Sequence, residues 1–392
     1  MDFGIVLDLA YKDFPVTRRK IYMNNASIAP APVSTIKAIT DFLLKCSEDG
    51  PDSQSVYEYI TSLMKELRMR ICHLINCEPE EIVFTQSTTE GLNYVCNAIQ
   101  WKKTDSIIVR DGSHEHYSNY LPWLQLSKKK GVKLNQLEID EEGLFDMANL
   151  EKLSKSKNTK LITLSHALYN NGMIIPVEEV GKIARENNVL YCIDAAQTVG
   201  SIGVDVKKIG CDFMAFPAFK WICGPIGIGI LYCRKSASEI LIPPSIGGES
   251  ATLSKQKVIA YLEPPQRFQA GFRNYPGVAG MESSLRYILR VGITNIRKKN
   301  IKIANMLRNE LVKIPNVKIY GPEHEDSRTS IVSFSPFTLD SKIVVNKLEQ
   351  NGIVFAERQL VNGRKIVRGS PHFFNSQEEV LNAISNIKNI LK

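Results

Sequence analysis

The chain has 392 residues, of which 44% are hydrophobic and 23% charged, with a formal net charge of +8. This length and apolar content predict a full hydrophobic core and two domains. The eight cysteines show no CxxC spacing, which argues against a zinc site or a disulfide framework and is typical of buried thiols in a reducing compartment.

Neither a signal peptide nor a membrane span is predicted. The amino terminus lacks a basic segment, and the longest apolar run, at 226–233, is too short and too glycine-rich to cross a bilayer. We therefore expect a cytoplasmic protein. Its basic residues are interspersed with acidic ones and lack interleaved aromatic residues, so they predict a solvated surface and no nucleic-acid partner. The net positive charge of the chain suits the binding of an anionic small molecule.

In chain order, the predicted elements alternate between helices and strands over most of the sequence. Residues 1–20 predict an extended arm, and residues 53–76 an amphipathic helix with apolar side chains at three- and four-residue spacing. Strands are predicted at 81–84, 106–110, 132–139, 161–164, 189–193, 213–216 and 228–232. This alternation predicts an α/β fold with a mostly parallel sheet and helices on both faces.

The pattern changes near Glu263, where two prolines follow. A long helical stretch at 282–312 then leads into short strands and helices, which predict a smaller α+β unit. The predicted organisation is an arm at 1–20, a large α/β domain at 21–262, a connecting segment at 263–283, and a small α+β domain at 284–392.

An acid and a lysine stand near the ends of two predicted buried strands. Asp194 closes the run 189–193, and Lys220 follows the run 212–216 and precedes a Gly-Pro-Ile-Gly-Ile-Gly loop. At one sheet edge, this pair would suit an enzyme that uses pyridoxal phosphate. The lysine would form a Schiff base with the cofactor, and the acid would keep the pyridine nitrogen protonated.

A phosphate seat is predicted where a strand runs through Ser87, Thr88 and Thr89 into a helix. Free backbone N–H groups, hydroxyls and the positive end of the helix dipole favour an anion there. The same residues, with Glu90, also fit an ordinary helix cap.

With these motifs, the sequence resembles the class V branch of the fold-type-I pyridoxal-phosphate enzymes, over nearly the whole chain. This family includes cysteine desulfurases, serine–pyruvate aminotransferases, kynureninases and isopenicillin-N-epimerase-like proteins. The matching motifs are, in order, FTQSTTEGLN at 84–93, Glu115-His116, Ser165-His166, DAAQ at 194–197, Lys220-Trp221, RFQAG at 267–271 and RGSPHFFN at 368–375. The resemblance implies a large domain with a seven-stranded, mostly parallel sheet and a smaller α+β carboxyl-terminal domain. It also implies pyridoxal phosphate as cofactor and a homodimer with 263–283 at the interface.

The resemblance also implies a role for each matching residue. Lys220, His116 and Asp194 are the expected catalytic residues, with Lys220 as the Schiff-base lysine and proton carrier. Thr88 and Thr89 are expected to bind the cofactor phosphate, and His116 to lie on the face of the cofactor ring. Asp194 is expected at the ring nitrogen, and Gln197 and Tyr169 at the ring hydroxyl. Arg368, Asn25 and Ala26 are expected to contact the amino-acid substrate. No metal site is predicted.

The chain departs from the family at several positions. No cysteine follows Cys233, so residues 357–364 lack the nucleophilic cysteine of the desulfurases, and desulfurase activity is disfavoured. Pro217 and Phe272 stand where the family has hydroxyl-bearing residues around the phosphate. Our hypothesis is that Arg273 compensates by reaching the cofactor across the dimer interface.

The resemblance leaves the reaction open. We favour a class V aminotransferase, because transamination needs only Lys220 as proton carrier. An epimerase would need a second acid or base, for which His116, Tyr169 and His372 are candidates. A lyase that eliminates from a cysteine-like substrate without a catalytic cysteine is the third possibility. A catalytically weak scaffold that binds partners is the alternative of another class.

Overall fold

The computed structural model describes residues 10–110, 112, 115–360 and 362–392. In this part of the chain, seven strands form one sheet in the order β2-β8-β7-β6-β5-β3-β4. Strand β8 runs antiparallel to both of its neighbours, and the other four pairs are parallel. The strands are β2 (Ile82–Thr85), β3 (Ser106–Arg110), β4 (Lys133–Leu137), β5 (Thr159–Ser165), β6 (Leu190–Asp194), β7 (Phe213–Pro217) and β8 (Gly229–Cys233). The predicted mostly parallel sheet is confirmed.

Helices alternate with these strands and continue beyond them. They are α1 (Val33–Asp49), α2 (Gln54–Ile75), α3 (Thr88–Ala98), α4 (Tyr117–Lys130), α5 (Met147–Ser154), α6 (Val177–Glu186), α7 (Val206–Ile209), α8 (Lys235–Ser238), α9 (Tyr275–Val291), α10 (Ile293–Val312), α11 (Ser341–Gln350) and α12 (Gln377–Leu391). None of the helices in the described ranges is long and apolar enough to cross a membrane.

Six strands of the large sheet are buried over most of their length and are largely apolar, whereas the edge strand β4 is polar and partly exposed. Successive side chains of a strand point to opposite faces, so alternate residues enter different cores. In β5, Ile162 and Leu164 pack with apolar residues of α2 and α6, whereas Leu161 packs with residues of α3 and α4. Because helices cover both faces, the ends of the strands are the part of the sheet that a ligand can reach.

A second sheet is formed by β11 (Val317–Tyr320), β12 (Val332–Pro336), β15 (Lys365–Gly369) and β14 (Ala356–Gln359), in that order and antiparallel throughout. Its core includes side chains of α10, α11 and α12. Strand β1 (Ile21–Tyr22) pairs in parallel with β13 (Ile353–Val354), so the amino-terminal segment lies against this carboxyl-terminal unit. A hairpin of β9 (Ala251–Leu253) and β10 (Ile259–Tyr261) lies between the two sheets in sequence.

Two sequence-based expectations about local structure were wrong. The expected single helical stretch at 282–312 belongs to two helices that meet at Gly292, whose φ of 86° ends α9. The expected extended arm contains 3-10 turns at Ala10–Asp13 and Pro15–Arg18, and the buried Phe14 stacks on Phe374 at 4.2 Å between centroids. Residues 1–9 of the arm lie outside the described residues.

The domain boundaries stay a prediction. The large sheet falls within 21–262 and the four-stranded sheet within 284–392, as expected. Helix α9, however, runs continuously through residue 284, where the small domain was expected to begin.

Candidate active site

The acid and the lysine lie at the same edge of the large sheet. Asp194 ends β6, which is paired in parallel with β7, and it stands opposite Ala215 in register. Lys220 lies in the turn after β7. The two groups are close enough for each charge to shift the pKa of the other, so the structure brings this predicted pair together.

Burial sets the ionisation of both groups. It raises the pKa of Asp194 to about 6, although the Lys220 charge and a hydrogen bond from the Ala196 N–H at 2.9 Å oppose the rise. Burial also lowers the pKa of Lys220 to about 8, against the raising effect of Asp194. An amine with a pKa near 8 is partly neutral at neutral pH, and only the neutral form can attack a carbonyl carbon or accept a proton.

The lysine turn is anchored by buried hydrogen bonds. The Trp221 indole donates to Oε1 of Gln197 at 3.0 Å, and Nε2 of Gln197 donates to the Ala26 carbonyl at 2.9 Å. The Trp221 carbonyl lies 3.1 Å from Nε2 of His372. Gln197 was expected at the ring hydroxyl of the cofactor, but here its side-chain amide ties the lysine turn to the amino-terminal segment.

The start of α3 has features of both a helix cap and a phosphate site, the two interpretations that the sequence left open. Ser87 caps the helix, since its hydroxyl accepts a hydrogen bond from the Glu90 N–H at 3.2 Å. The Thr89 hydroxyl donates to Ser118 at 2.8 Å. The Thr88 hydroxyl is buried and has no partner in the described chain. A buried hydroxyl without a partner at the positive end of a helix suits an anionic ligand.

His116 is held at the start of α4. Its Nδ1 accepts a hydrogen bond from the Ser118 N–H at 3.2 Å, so a neutral ring carries its proton on Nε2. The ring meets the Tyr169 ring edge-on at 5.1 Å. Burial lowers the pKa of His116 to about 4, and the nearby charges of Lys220 and two arginines add to this shift. The imidazole is therefore neutral at neutral pH.

Arg368 is buried and held in a fixed orientation on β15. Its guanidinium donates to the Tyr169 carbonyl at 2.6 Å, to Oδ1 of Asn24 at 3.1 Å and to the Ser27 hydroxyl at 2.6 Å, while its Nε has no partner among the described residues. The expected substrate residues Asn25 and Ala26 lie beside it, where both bond to Ser370.

Arg358 belongs to the same cluster, although the sequence analysis did not select it. Its guanidinium donates to the Ser27 hydroxyl that also receives Arg368. Its charge acts on His116 and Lys220. Of the segment 357–364, the first three residues belong to strand β14, and residue 361 lies outside the described residues. The pairing of β14 with β15 places Arg358 in the site. The sequence alone does not reveal this pairing, so it offers no signal that would have identified the arginine.

Arg273 lies in another part of the surface. It lines a cavity of about 900 Å³ together with Arg68, Tyr57 and Phe272. Its Nε and Nη2 atoms are buried without a hydrogen-bond partner in the described chain. No hydrogen bond or charge effect that we observe joins Arg273 to Lys220 or Asp194 of its own chain.

The clustered residues fit pyridoxal phosphate and an amino acid. An acid and an amine at one sheet edge suit the ring nitrogen and the aldehyde, and the unpartnered Thr88 hydroxyl suits a phosphate oxygen. A neutral imidazole beside them suits the face of an aromatic ring. The Arg368 guanidinium suits the carboxylate of an amino acid.

Comparisons with known proteins agree with this assignment. A family model described as aminotransferase class V matches residues 21–382. A probable cysteine desulfurase from Pyrococcus abyssi is 35% identical, with 97% of this chain and 96% of the relative covered. A probable cysteine desulfurase from Methanothermobacter thermautotrophicus is 31% identical, with 94% of this chain and 94% of the relative covered. The apo structure of cysteine desulfurase from Thermococcus onnurineus NA1 superposes with a TM-score of 0.90 at 32% identity, over 97% of this chain and 96% of that one. The expected fold-type-I architecture is thus confirmed, and the chain belongs to the class V aminotransferase family of pyridoxal-phosphate enzymes.

Proposed function

We propose that this enzyme is a pyridoxal-phosphate-dependent lyase that breaks the Cβ–S bond of a sulfur-containing amino acid. The observation that carries the proposal is the buried Lys220 amine beside Asp194, in one cluster with Arg368. Pyridoxal phosphate is the cofactor of this family. The relatives named above are called cysteine desulfurases, which supports a reaction at sulfur.

Each residue of the cluster has a task in this reaction. Arg368 holds the α-carboxylate of the substrate, and Lys220 takes the α-proton on Nζ. The bound cofactor withdraws electrons and so makes that proton acidic. Asp194 keeps a proton on the ring nitrogen through its negative charge, and Thr88, Thr89 and the start of α3 hold the phosphate.

The bond changes balance without an added oxidant or reductant. The electron pair of the Cα–H bond forms a Cα–Cβ double bond, and the Cβ–S bond breaks with its electron pair on sulfur. The sulfur leaves as a thiolate or persulfide anion and takes up a proton. The remaining fragment leaves as 2-aminoacrylate, which water converts to pyruvate and ammonium.

A reaction of this type does not need a cysteine on the enzyme. No cysteine follows Cys233 in the sequence, so residues 357–364 offer no thiol to receive sulfur. A desulfurase reaction that stores sulfur on this segment is therefore disfavoured. Transamination, which the sequence favoured, would use the same Lys220, Asp194 and Arg368. The names of the relatives support the lyase over the aminotransferase.

We further propose that the enzyme works as a homodimer. Tyr57 and Phe272 are large apolar side chains that remain 66% and 84% exposed at the cavity that holds Arg273. Exposed apolar side chains of this size are typical of subunit interfaces. At such an interface, the Arg273 guanidinium, whose Nε and Nη2 have no hydrogen-bond partner among the described residues, would reach the cofactor phosphate of the partner subunit.

The products of the holoenzyme with L-cysteine and with L-cystine test the proposed reaction. Pyruvate, sulfide or persulfide, and alanine are assayed after unbound cofactor has been removed, while the cofactor absorbance is followed. We expect pyruvate and reduced sulfur in equal amounts. Lys220→Ala should abolish both products, whereas Lys342→Ala, an exposed lysine on α11, should leave them unchanged. Conversion of the cofactor to its pyridoxamine form would instead indicate an aminotransferase.

A further inference from the structure

Two cysteines lie side by side where α2 ends. Asn76 adopts the left-handed conformation, with a φ of 58°, and turns the chain back over the last turn of the helix. The N–H groups of Asn76 and Cys77 both bond to the Cys72 carbonyl, the latter at 3.3 Å. Such a helix end brings the side chains before and after the turn into contact, and here both are thiols. The Cys77 thiol donates a hydrogen bond to Sγ of Cys72 at 3.7 Å.

This pair differs from the other cysteines of the chain. All eight lie in the described ranges and carry free thiols, and we observe no second hydrogen bond between sulfur atoms among them. Cys72 and Cys77 are 9% and 6% exposed, while the residues that follow them, His73 and Glu78, are exposed. The pair therefore lies just beneath the surface, where a small molecule can reach it.

The hydrogen bond gives the two thiols different roles. It lowers the pKa of Cys72, against the effects of burial and of three nearby glutamates. It raises the pKa of Cys77, and burial adds to that rise. Cys72 therefore loses its proton first, and the thiolate is the form of cysteine that attacks a sulfur atom. A bond between the two sulfurs, about 2 Å long, requires them to approach by less than about 2 Å.

The pair is separate from the candidate active site. Strand β2, which follows Cys77, is antiparallel to β8, and β8 is antiparallel to β7. Strands β2 and β7 therefore run in the same direction, and the segment before β2 lies at the sheet edge opposite to the one where Lys220 follows β7. A reaction at Cys72 thus requires no change at Lys220, so it can be tested independently of the proposed lyase reaction.

We infer that Cys72 and Cys77 form a reversible disulfide by exchange with small molecules that carry a sulfur–sulfur bond, namely disulfides and persulfides. The Cys72 thiolate attacks one sulfur of the small molecule, and the other sulfur leaves with the electron pair of the broken bond. Cys77 then gives up its proton and attacks Sγ of Cys72, which releases the second sulfur. The protein loses two electrons and two protons. A disulfide is thereby reduced to two thiols, and a persulfide to a thiol and hydrogen sulfide.

Peptide mass spectrometry of the native holoenzyme detects the disulfide. The reduced protein is exposed to oxidised glutathione, and the remaining thiols are alkylated. Trypsin with a glutamate-specific protease then releases residues 71–80, which contain both cysteines and no other. We expect this peptide to lose two hydrogens, two of the eight thiols to disappear, and dithiothreitol to restore both. Eight unreacted thiols, or glutathione attached to Cys72 without the internal disulfide, would overturn the inference.

Serine variants test the order of the two steps. In Cys77→Ser the serine hydroxyl can still donate to Cys72, so a stable glutathione adduct should form on Cys72. In Cys72→Ser the Cys77 thiol still donates to an acceptor, and its adduct should form about tenfold more slowly, as for a thiol whose pKa is one unit higher. Cys46→Ser, at a half-buried position on α1, should form the disulfide as the native protein does. Faster adduct formation on Cys77 than on Cys72 would refute Cys72 as the attacking thiol.

L-cystine distinguishes the two sources of the sulfur–sulfur bond. Equal oxidation of the pair in the native holoenzyme and in Lys220→Ala, which should not turn L-cystine over, assigns the reaction to the disulfide itself. Oxidation in the native holoenzyme alone assigns it to the persulfide that the lyase would release. No oxidation of either protein would contradict the exchange. If glutathione oxidises the pair but no pyruvate forms from any substrate, the lyase proposal fails and the inference about Cys72 and Cys77 stands.

Discussion

At the scale of single residues, the site depends on how burial changes the chemistry of common side chains. Lys220 lies in a buried turn where desolvation opposes its positive charge, and Asp194 is the nearby acid that limits this effect. A solvated lysine at neutral pH is almost entirely protonated and is a poor nucleophile. The lowered pKa therefore prepares the amine for the cofactor.

The uptake of pyridoxal phosphate by the apo-protein should depend on pH accordingly. With a pKa of about 8 for Lys220, the neutral fraction rises about tenfold from pH 7 to pH 9 and then levels off. For a lysine with an unperturbed pKa, the neutral fraction would rise about a hundredfold from pH 7 to pH 9 and would not level off there. Stopped-flow absorbance at a series of pH values measures the rate. Asp194→Asn should move the midpoint to lower pH, because the carboxylate charge raises the pKa of Lys220. A rate that still rises tenfold per unit above pH 9 would contradict this explanation.

The residues that were predictable differ from Arg358 in one respect. Asp194 and Lys220 follow buried apolar runs, and such runs mark strand ends in the sequence. Arg358 lies on a short strand with the polar sequence AERQ, which has no apolar pattern. Its place beside Arg368 arises from pairing between separate strands and so required the structure.

At the scale of elements, close backbone approaches hold the lysine turn in place. Gly200 adopts a φ of 94°, and a Cβ atom built there would lie 2.7 Å from the carbonyl carbon of Trp221. The turn after β6 can therefore approach the lysine turn only because this residue has no side chain.

Gly200→Ala should destabilise the protein and displace Lys220. The positive φ and the steric overlap together predict a loss of about 2 kcal/mol or more. Gly203→Ala is the matched control, since a Cβ atom there meets no atom within 4 Å. Urea unfolding of both variants, with the cofactor absorbance as a second readout, checks this. Equal stability of the two variants would show that the turn accommodates a side chain.

The elements themselves were predictable where their patterns are long. The predicted strands of the large sheet and the predicted helix at 53–76 are confirmed, because their apolar runs and three- and four-residue repeats extend over most of each element. The break at Gly292 was missed, since one glycine between two amphipathic helices does not interrupt the apolar repeat. The turns around Phe14 were missed because contacts with distant aromatic residues stabilise them.

At the scale of the whole molecule, two separate surfaces matter, namely the active site and the cavity with Arg273. The proposed homodimer would connect them. Replacement of Arg273 by alanine should then raise the dissociation constant of pyridoxal phosphate about tenfold, since one charge-assisted hydrogen bond is lost. Arg286→Ala, at an exposed position on α9, should leave the constant unchanged. Cofactor titration with size-exclusion chromatography checks both. Unchanged affinity in an intact Arg273→Ala dimer would refute the cross-subunit role.

The stability of the apo-protein should fall on acidification. Burial lowers the pKa of His372 to about 3, against 6.5 in the unfolded chain. The unfolded state therefore binds more protons between these values, and stability is lost as the pH falls through that window. From pH 6.5 to 5 the loss due to His372 is about 2 kcal/mol. The raised pKa of Asp194 acts in the opposite direction but is common to both proteins when His372→Gln is compared with the native chain.

Urea midpoints at pH 6.5 and pH 5 measure this difference. The native protein should lose more stability than His372→Gln over this interval. His116 and His166 also have lowered pKa values, but their contributions are common to both proteins. The same loss in both would therefore mean that the pKa of His372 is not lowered in the folded protein.

The central claim is that the enzyme breaks the Cβ–S bond by elimination. The most direct test is carbon-13 NMR of the products that the holoenzyme forms from uniformly labelled L-cysteine and L-cystine. Our account predicts labelled pyruvate from at least one of them, with one ammonium for each pyruvate and no labelled alanine. Labelled alanine as the main product would contradict it and indicate transfer of sulfur to an acceptor thiol. A labelled keto acid that retains its sulfur would contradict it in favour of transamination.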